Sequence, residues 1–523
     1  METTKRLAKS TLAIIIFSLI GKIFGLVRES LIAAKFGATF QTDAFYAALG
    51  ATGIISALVT QSIATTFIPG LQKAESELGH NQKLHFTNNM LSISTIISIL
   101  VMIMGIALAP ALAFLFSPPS KPEAFDLVVE LIKLGMPVIV FSAIVGVFTG
   151  FLQYSGKFAA AGAVAIPLNL TYILYLTLFT SHAGIHGLTI ASVLGVFMQI
   201  LFLLPSAFKS GYKPQAVLDF KDKYVVESLM LAAPVLISTA VNDINIIVNK
   251  RLAMGMAEGS TTILNNANKL NTMILGIFIT AITATVFPTM TRTFSEQGMV
   301  QGKKVMNASV KSVLFLTVPA TVGMIILARP IVDLAFFHGR YTLQNAIDTT
   351  ATLRFYTIAL ISMSISNVLN RVYYSLSDTK TPFWVGLINV MINVGLNLLV
   401  AHRFGTRGLA ASVSIATTIA VLISFVLLRK KIGNLGTKSY IRALIKTLMA
   451  SAVMGLVAFL YFPIETLLLP FVTSGASIKL IKLIVLLFVV SLAALVYAIC
   501  LYLLGVREIR DIVKMIKKRL NKN

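Results

Sequence analysis

From Thr11 the sequence runs TLAIIIFSLIGKIFGLVRESLIAAKFGATFQTD, an apolar stretch long enough to cross a bilayer that carries Lys22, Arg28 and Glu29 in its interior. Too little apolar sequence precedes it for an earlier crossing, so these charges fall inside the first membrane helix, expected to be a retained span. A charge at the middle of a lone helix costs about 2.5–3.5 kcal/mol on insertion scales unless it faces water, a partner charge or a substrate. This helix therefore lines something wet. Lys22 lies roughly 16 Å along the helix from Thr11, too deep for easy snorkelling. Lys22 and Glu29, seven apart, share one stripe of the helix, and Arg28 falls on the next stripe with Gly21, Gly25 and Ile32. The glycines let another backbone come close. Snorkelling to the two interfaces with a local Arg28–Glu29 pair is the competing reading.

The rest of the chain obeys the same constraint. Of 523 residues 56% are hydrophobic and only 12% charged, too few to hydrate the surface of a soluble globular protein. The formal charge of +24 resides in short loops between apolar runs, which suits membrane topology and not nucleic-acid binding. One cysteine, Cys500, excludes internal disulfides and paired-cysteine metal or redox chemistry. Among six scattered histidines, His182 and His186 are the only pair at helical spacing, and they are expected to flank a short outer loop.

At about 20 apolar residues per crossing, spans are expected near 11–36, 43–69, 88–116, 127–153, 158–180 and 186–208. Six follow near 225–253, 260–290, 307–337, 345–375, 382–402 and 406–429, and two near 440–463 and 477–505. The expected fold is an all-α polytopic membrane protein of about fourteen helices. Residues 1–208 form a first six-helix lobe, 209–224 a basic cytoplasmic linker, 225–431 a second lobe, and 432–506 two extra helices. Residues 507–523 form a basic amphipathic tail on an anionic cytoplasmic surface. Lys and Arg collect on one side of this arrangement, which places both termini in the cytoplasm. TTFIPGLQKAESE (65–77) and ATVFPTMTRTFSE (284–296) echo one another at matching places in the two blocks, as a parallel repeat would require.

If the repeat brings spans 1, 2, 7 and 8 together, they enclose a cavity with Lys22, Arg28 and Lys269 facing inward. Glu29, Asp43, Asp243 and the amide of Asn266 would lie nearby, and such a cavity would hold an anion. The alternative for Asp43, Lys250 and Arg251 is a plain position at helix ends. On span 11, Asn389, Asn393 and Asn397 form one polar stripe that faces other helices. It is either interhelical glue or, with Asp243 and hydroxyls such as Ser412, Ser414 or Thr417, an oxygen site for a small cation. Span 10 adds Arg354, Asn367, Asn370 and Arg371 as structural or water-facing residues. The last two helices either offer an apolar groove to a lipid chain or only stabilise the bundle.

FGLVRES (24–30), KFGATFQTDAFYAAL (35–49), TTFIP (65–69) and NVGLNLLVAHRFGTRGLAASVSIA (393–416) resemble the MurJ/MviN lipid II flippases of the MOP exporter superfamily. The resemblance covers the whole chain. It implies two lobes working by alternating access in a bacterial inner membrane. The implied cargo is the undecaprenyl-diphosphate-linked peptidoglycan precursor, lipid II, held in a cationic cavity with its tail against the last two helices. It also implies Arg28 as a family arginine, Glu29 and Asp43 as acidic positions, and a cation site of Asp243 with Asn393 or Asn397. No cofactor is implied beyond sodium or proton coupling. The implied partners are the polyprenyl-diphosphate lipid and membrane lipids, with cell-wall synthesis proteins as further candidates. This chain departs where Lys22 and Lys269 stand for arginine, keeping charge but losing the bidentate fork, and where Ser56 stands for another arginine.

Three functions remain. A flippase for lipid II leads. A flippase for another lipid-linked oligosaccharide or a cation-coupled drug exporter is second, the drug exporter disfavoured by the Lys and Arg of the cavity. A membrane glycosyltransferase would need a sizeable outer loop with an acid or base, and the outer loops are short.

Overall fold

The computed structural model describes residues 2–79, 82–471 and 475–506 with Glu508 and Arg510. The expected amphipathic tail otherwise lies outside the described residues, as do the side chains of Lys5, Arg6, Lys9, Asn242 and 284–288 of the repeat echo. All regular secondary structure among the described residues is helical, with no strand. Eight helices are long and apolar enough to cross a membrane, nine if one bent pair counts as a single span. Two of the eight, Ala165–Lys209 and Lys380–Ile432, run 45 and 53 residues, about twice what a bilayer needs. Each breaks at a glycine with positive φ, Gly184 at 51° and Gly405 at 57°, where a side chain would be strained. With three further helices of 35, 33 and 37 residues, the crossing segments among the described residues number about fourteen.

The chain divides into two compact units. The first comprises Met1–Asn266, His338–Thr342 and Asn397–Thr406. It holds α1 (Glu2–Phe36), α2 (Phe40–Leu78), α3 (Gln82–Ala107), α4 (Ala109–Phe116), α5 (Pro122–Gly135) and α6 (Val138–Tyr154). Next come α7 (Phe158–Gly162), α8 (Ala165–Leu174), α9 (Thr180–Lys209), α10 (Lys223–Gly255) and the first turns of α11 (Ser260–Glu296). The expected fourth span is a pair, α5 and α6, bent by 40° before Val138. The fifth is broken into α7, α8 and a π turn, Tyr175–Phe179. α8 packs back along α9, α1 lies against α7 and α8, and α2 runs beside α6 and α10. The core joins Ile32, Phe45, Tyr46, Val128, Leu131, Ile139 and Tyr172, all nearly inaccessible.

The segment expected to be a simple linker is strapped down. Asn88 on α3 donates to the Lys213 carbonyl at 3.0 Å and accepts from the Tyr212 hydroxyl at 2.9 Å. Its neighbour Asn89 grips Asp219 at both backbone groups, at 2.9 and 2.8 Å. Asp222 then caps α10, accepting from Tyr224 N–H at 2.9 Å.

The second unit comprises Ala267–Phe337, Leu343–Leu396 and Arg407–Asn523. It holds the rest of α11, α12 (Gly298–Ile326), α13 (Ala328–Ala335), α14 (Leu343–Ser375) and most of α15 (Lys380–Ile432). It ends with α16 (Thr437–Ala458), α17 (Tyr461–Leu468) and α18 (Gly475–Leu503). α12 packs on α14 and α16, and α18 packs on α16 and α17. The two extra helices are thus built into this unit's core, where Leu327, Ala458, Tyr461, Val485 and Val489 meet.

Candidate functional site

Within the first unit, the charged middle of α1 is wired to two other helices, α2 and α8. Arg28 donates from Nη2 to Glu29 Oε1 at 2.6 Å. Its guanidinium sits 4.8 Å from the ring centroid of Tyr172 on α8, a cation–π contact. Glu29 is 3% exposed, and its other oxygen accepts from the Tyr46 hydroxyl of α2 at 2.6 Å. Both carboxylate oxygens therefore have charge-assisted or hydroxyl donors, which a buried carboxylate requires. The Nε–H of Arg28 is buried without a partner among the described residues. Lys22, six residues earlier on the same helix, is half-buried. At Gly21 the side of α8 comes close: a Cβ there would lie 3.2 Å from that of Ala165.

Lys250, five residues before the end of α10, is tied to α2. Its ammonium donates to the backbone carbonyl of Tyr46. It reaches that carbonyl across Gly50, four residues on, where a Cβ would lie 2.6–3.1 Å from the end of the lysine chain. A carbonyl has a second lone pair to offer, and only a residue without a side chain at the next turn leaves it open. Arg251 instead lies 4.3 Å over the ring of Phe114.

Asp43 is likewise engaged. Oδ2 accepts from Gly259 N–H at 2.7 Å, and Oδ1 lies 2.8 Å from both the N–H and the hydroxyl of Thr262. The carboxylate thus satisfies the orphan donors at the start of α11 from outside the helix. Beside it opens a cavity of about 600 Å³ walled by Phe40, Lys121, Glu123, Met254 and Glu258.

Asn266 is fully buried, with neither amide atom partnered among the described residues. Lys269 is half-buried and engaged. Asp243 is half-buried on α10. Asn397 donates to Asn249 at 2.9 Å, and Asn249 to Asn245 at 2.6 Å, an amide relay within the first unit. Asn393 is buried in the second unit, where the Ser414 hydroxyl donates to the Phe355 carbonyl at 2.5 Å. Ser56 donates to Ser142 at 2.7 Å, so this hydroxyl serves helix packing. No group of three or more His, Cys, Asp or Glu suited to a metal occurs among the described residues, and His186 pairs with Glu130 at 3.0 Å. Sequence reasoning missed Tyr46 and Tyr172. Tyr46 lies in the FQTDAFYAAL segment three residues after Asp43, but its tie to Glu29 joins residues 17 apart.

Comparison with known proteins agrees with this architecture. The family model described as "Lipid II flippase MurJ" matches residues 32–474. A probable lipid II flippase MurJ of Haemophilus influenzae is 28% identical over 513 residues, covering 94% of this chain and 98% of that protein. Its counterpart from Vibrio cholerae is 27% identical, covering 87% and 89%. A solved lipid II flippase MurJ in an inward closed conformation superposes with a TM-score of 0.75 at 22% identity, covering 96% of this chain and all of that one. An inward-facing multidrug resistance MATE transporter of the MOP superfamily gives 0.67 at 14% identity, over 82% of this chain and 99% of that one. At these identities the two structures show the fold alone.

Proposed function

Because the chain belongs to the lipid II flippase MurJ family, whose model matches residues 32–474, we infer that it moves lipid II across the bacterial inner membrane as a transporter and not as an enzyme. Its lipid-linked substrate and the surrounding membrane lipids are its partners. The single observation that carries this reading is the family match over most of the chain; the charged interior of α1 supplies the chemistry.

We propose that Arg28 meets the diphosphate. Glu29 and Tyr172 hold the guanidinium at one edge and one face, and the Nε–H stays as a donor for an incoming anion. Glu29 is in turn fixed by Tyr46, so it acts as a positioning residue. Lys22 adds a second cation roughly 9 Å away along the helix. A diphosphate wants both charge and fixed donors, and an arginine held at two sides loses little entropy on binding. With both termini in the cytoplasm, outward movement of the anion runs with an inside-negative potential, worth about 2.3 kcal/mol per charge per 100 mV. Return of a small cation, with Asp243 as the carboxylate, would reset the empty carrier.

Depletion of the protein in its native cell tests this. Labelled lipid II should then stay inaccessible to a reagent confined to the outer face. The wild-type chain should restore access and Arg28→Ala should not. Normal access with an Arg28→Ala protein that inserts normally would remove Arg28 from the site while leaving the family assignment standing.

A further inference from the structure

At the end where α16 begins and α18 stops, three helices of the second unit enclose a cavity of about 320 Å³. Lys311 enters from α12, Ser439, Arg442 and Lys446 from α16, and Gly505, Val506 and Glu508 from the chain just after α18. Residues 311 and 315, and 439, 442 and 446, recur at helical spacing, so each helix turns one cationic face to the same space. Three cations share it with one carboxylate. Glu508 stands 4.0 Å from Lys311, at the limit of an ion pair. Lys446 donates to the Leu504 carbonyl at 2.6 Å, which fixes its ammonium without neutralising it. Arg442 is exposed and has no ion pair among the described residues. A fourth cation lies close by: the guanidinium of Arg510 would be 3.2 Å from a Cβ at Gly505, whose φ is 71°.

Directly beneath the charges lies an apolar floor. Phe315, Ala443 and Val506 line the cavity and belong to a buried cluster with Ala450 and Leu501. Charge above and hydrocarbon below, at the level where transmembrane helices end, matches the boundary between headgroup and acyl chain. Like charges brought together cost free energy unless an anion joins them. Basic pockets between membrane helices bind the phosphates of lipid headgroups for this reason.

We propose that this pocket binds a phosphate group, that of an anionic phospholipid headgroup, with Arg442 and Lys446 as its principal donors and Lys311 as a third. The site is built wholly from residues of the second unit and does not depend on which cargo the protein carries. Glu508 opposes the anion and sets an upper limit on its affinity.

The full chain, purified in detergent and exchanged with mixed phosphatidylglycerol and phosphatidylethanolamine, is examined by native mass spectrometry for retained lipid. Wild type should keep phosphatidylglycerol in preference to phosphatidylethanolamine by about tenfold. Arg442→Gln with Lys446→Gln should abolish that preference, whereas Arg429→Gln with Lys430→Gln, on the last turn of α15, should leave it unchanged. Glu508→Gln should raise retention, a gain that misfolding cannot produce. Equal retention in wild type and the Arg442/Lys446 variant, equal loss in the control, or weaker retention in Glu508→Gln would each overturn the proposal. A parallel arm adds millimolar inorganic phosphate to lipid-depleted protein. Saturable binding there that disappears in the Arg442/Lys446 variant, without lipid preference in the first arm, would keep the phosphate chemistry and assign the free ion in place of the lipid.

Discussion

The phenol of Tyr46 donates to Glu29 Oε2 at 2.6 Å, while the other oxygen of Glu29 takes Arg28 at the same distance. One tyrosine on α2 thus supplies a donor to the buried carboxylate of α1. Tyr46→Phe removes one donor from that buried oxygen, and such a loss costs about 1–3 kcal/mol. A cycle of Tyr46→Phe, Glu29→Gln and the double variant in denaturant unfolding should show the two substitutions to be coupled. Additive effects would mean that the hydroxyl does not support Glu29.

Asp43 should behave as a cap. Asp43→Asn keeps one acceptor of two, and losing the Gly259 or Thr262 contact should cost about 0.5–2 kcal/mol, in the range of N-cap deletions. Asp43→Ala should cost more, because the N–H groups of Gly259 and Thr262 both go unanswered. Hydrogen exchange at Gly259 and Thr262 is the direct readout. Faster exchange there with an undisturbed α1 is the expected pattern; unchanged exchange would argue against the cap.

Gly50→Ala places a methyl against the end of the Lys250 chain. The lysine is flexible and can retreat, but it then loses the Tyr46 carbonyl. The expected result is a modest destabilisation of about 1 kcal/mol. It should come with faster modification of Lys250 by an amine reagent, read by peptide mass spectrometry. Gly53→Ala three residues on meets open space and should leave Lys250 reactivity as it is.

Asp378, in the turn between α14 and α15, gives a pH signature outside the membrane. Burial pushes its carboxyl up, but Lys431 at 2.6 Å and the N–H and hydroxyl of Thr381 outweigh it and bring the value down to about 2. A carboxyl depressed on folding contributes stability that is present above its unfolded value near 3.9 and is lost as pH falls toward the folded value. The stability difference between wild type and Asp378→Asn should therefore shrink between about pH 4 and pH 2. Lys431→Gln should move that loss to higher pH. Because Lys431 is 43% exposed, water and salt screen the pair, and its share is about 1 kcal/mol or less. Thermal unfolding across that pH range checks both statements; a difference independent of pH would contradict the pairing.

The spans, and the charges within the first of them, were legible from residue order alone. A bilayer allows only closed hydrogen-bonding structures, so twenty-residue apolar runs read directly as helices, and Gly184 and Gly405 stand between runs that the sequence already separates. The local Arg28–Glu29 pair was legible for the same reason, since neighbours on a helix meet whatever the tertiary fold. The internal breaks were missed: α5 and α6 bend by 40° at Pro137, and a π turn runs over Tyr175–Phe179.

The sequence by itself determined that this protein is a bundle of membrane helices with ionised groups in the middle of its first span, because the cost of burying charge in lipid leaves few other arrangements. Only the tertiary structure decided what those charges touch. Tyr46 and Tyr172 reach α1 from 17 and 144 positions away, Lys250 from α10 lands on a carbonyl of α2, and Asp43 answers the start of α11. Helical periodicity tells which face of a helix a side chain occupies. Which helix stands opposite that face follows from the packing of the whole unit, and no local pattern carries it.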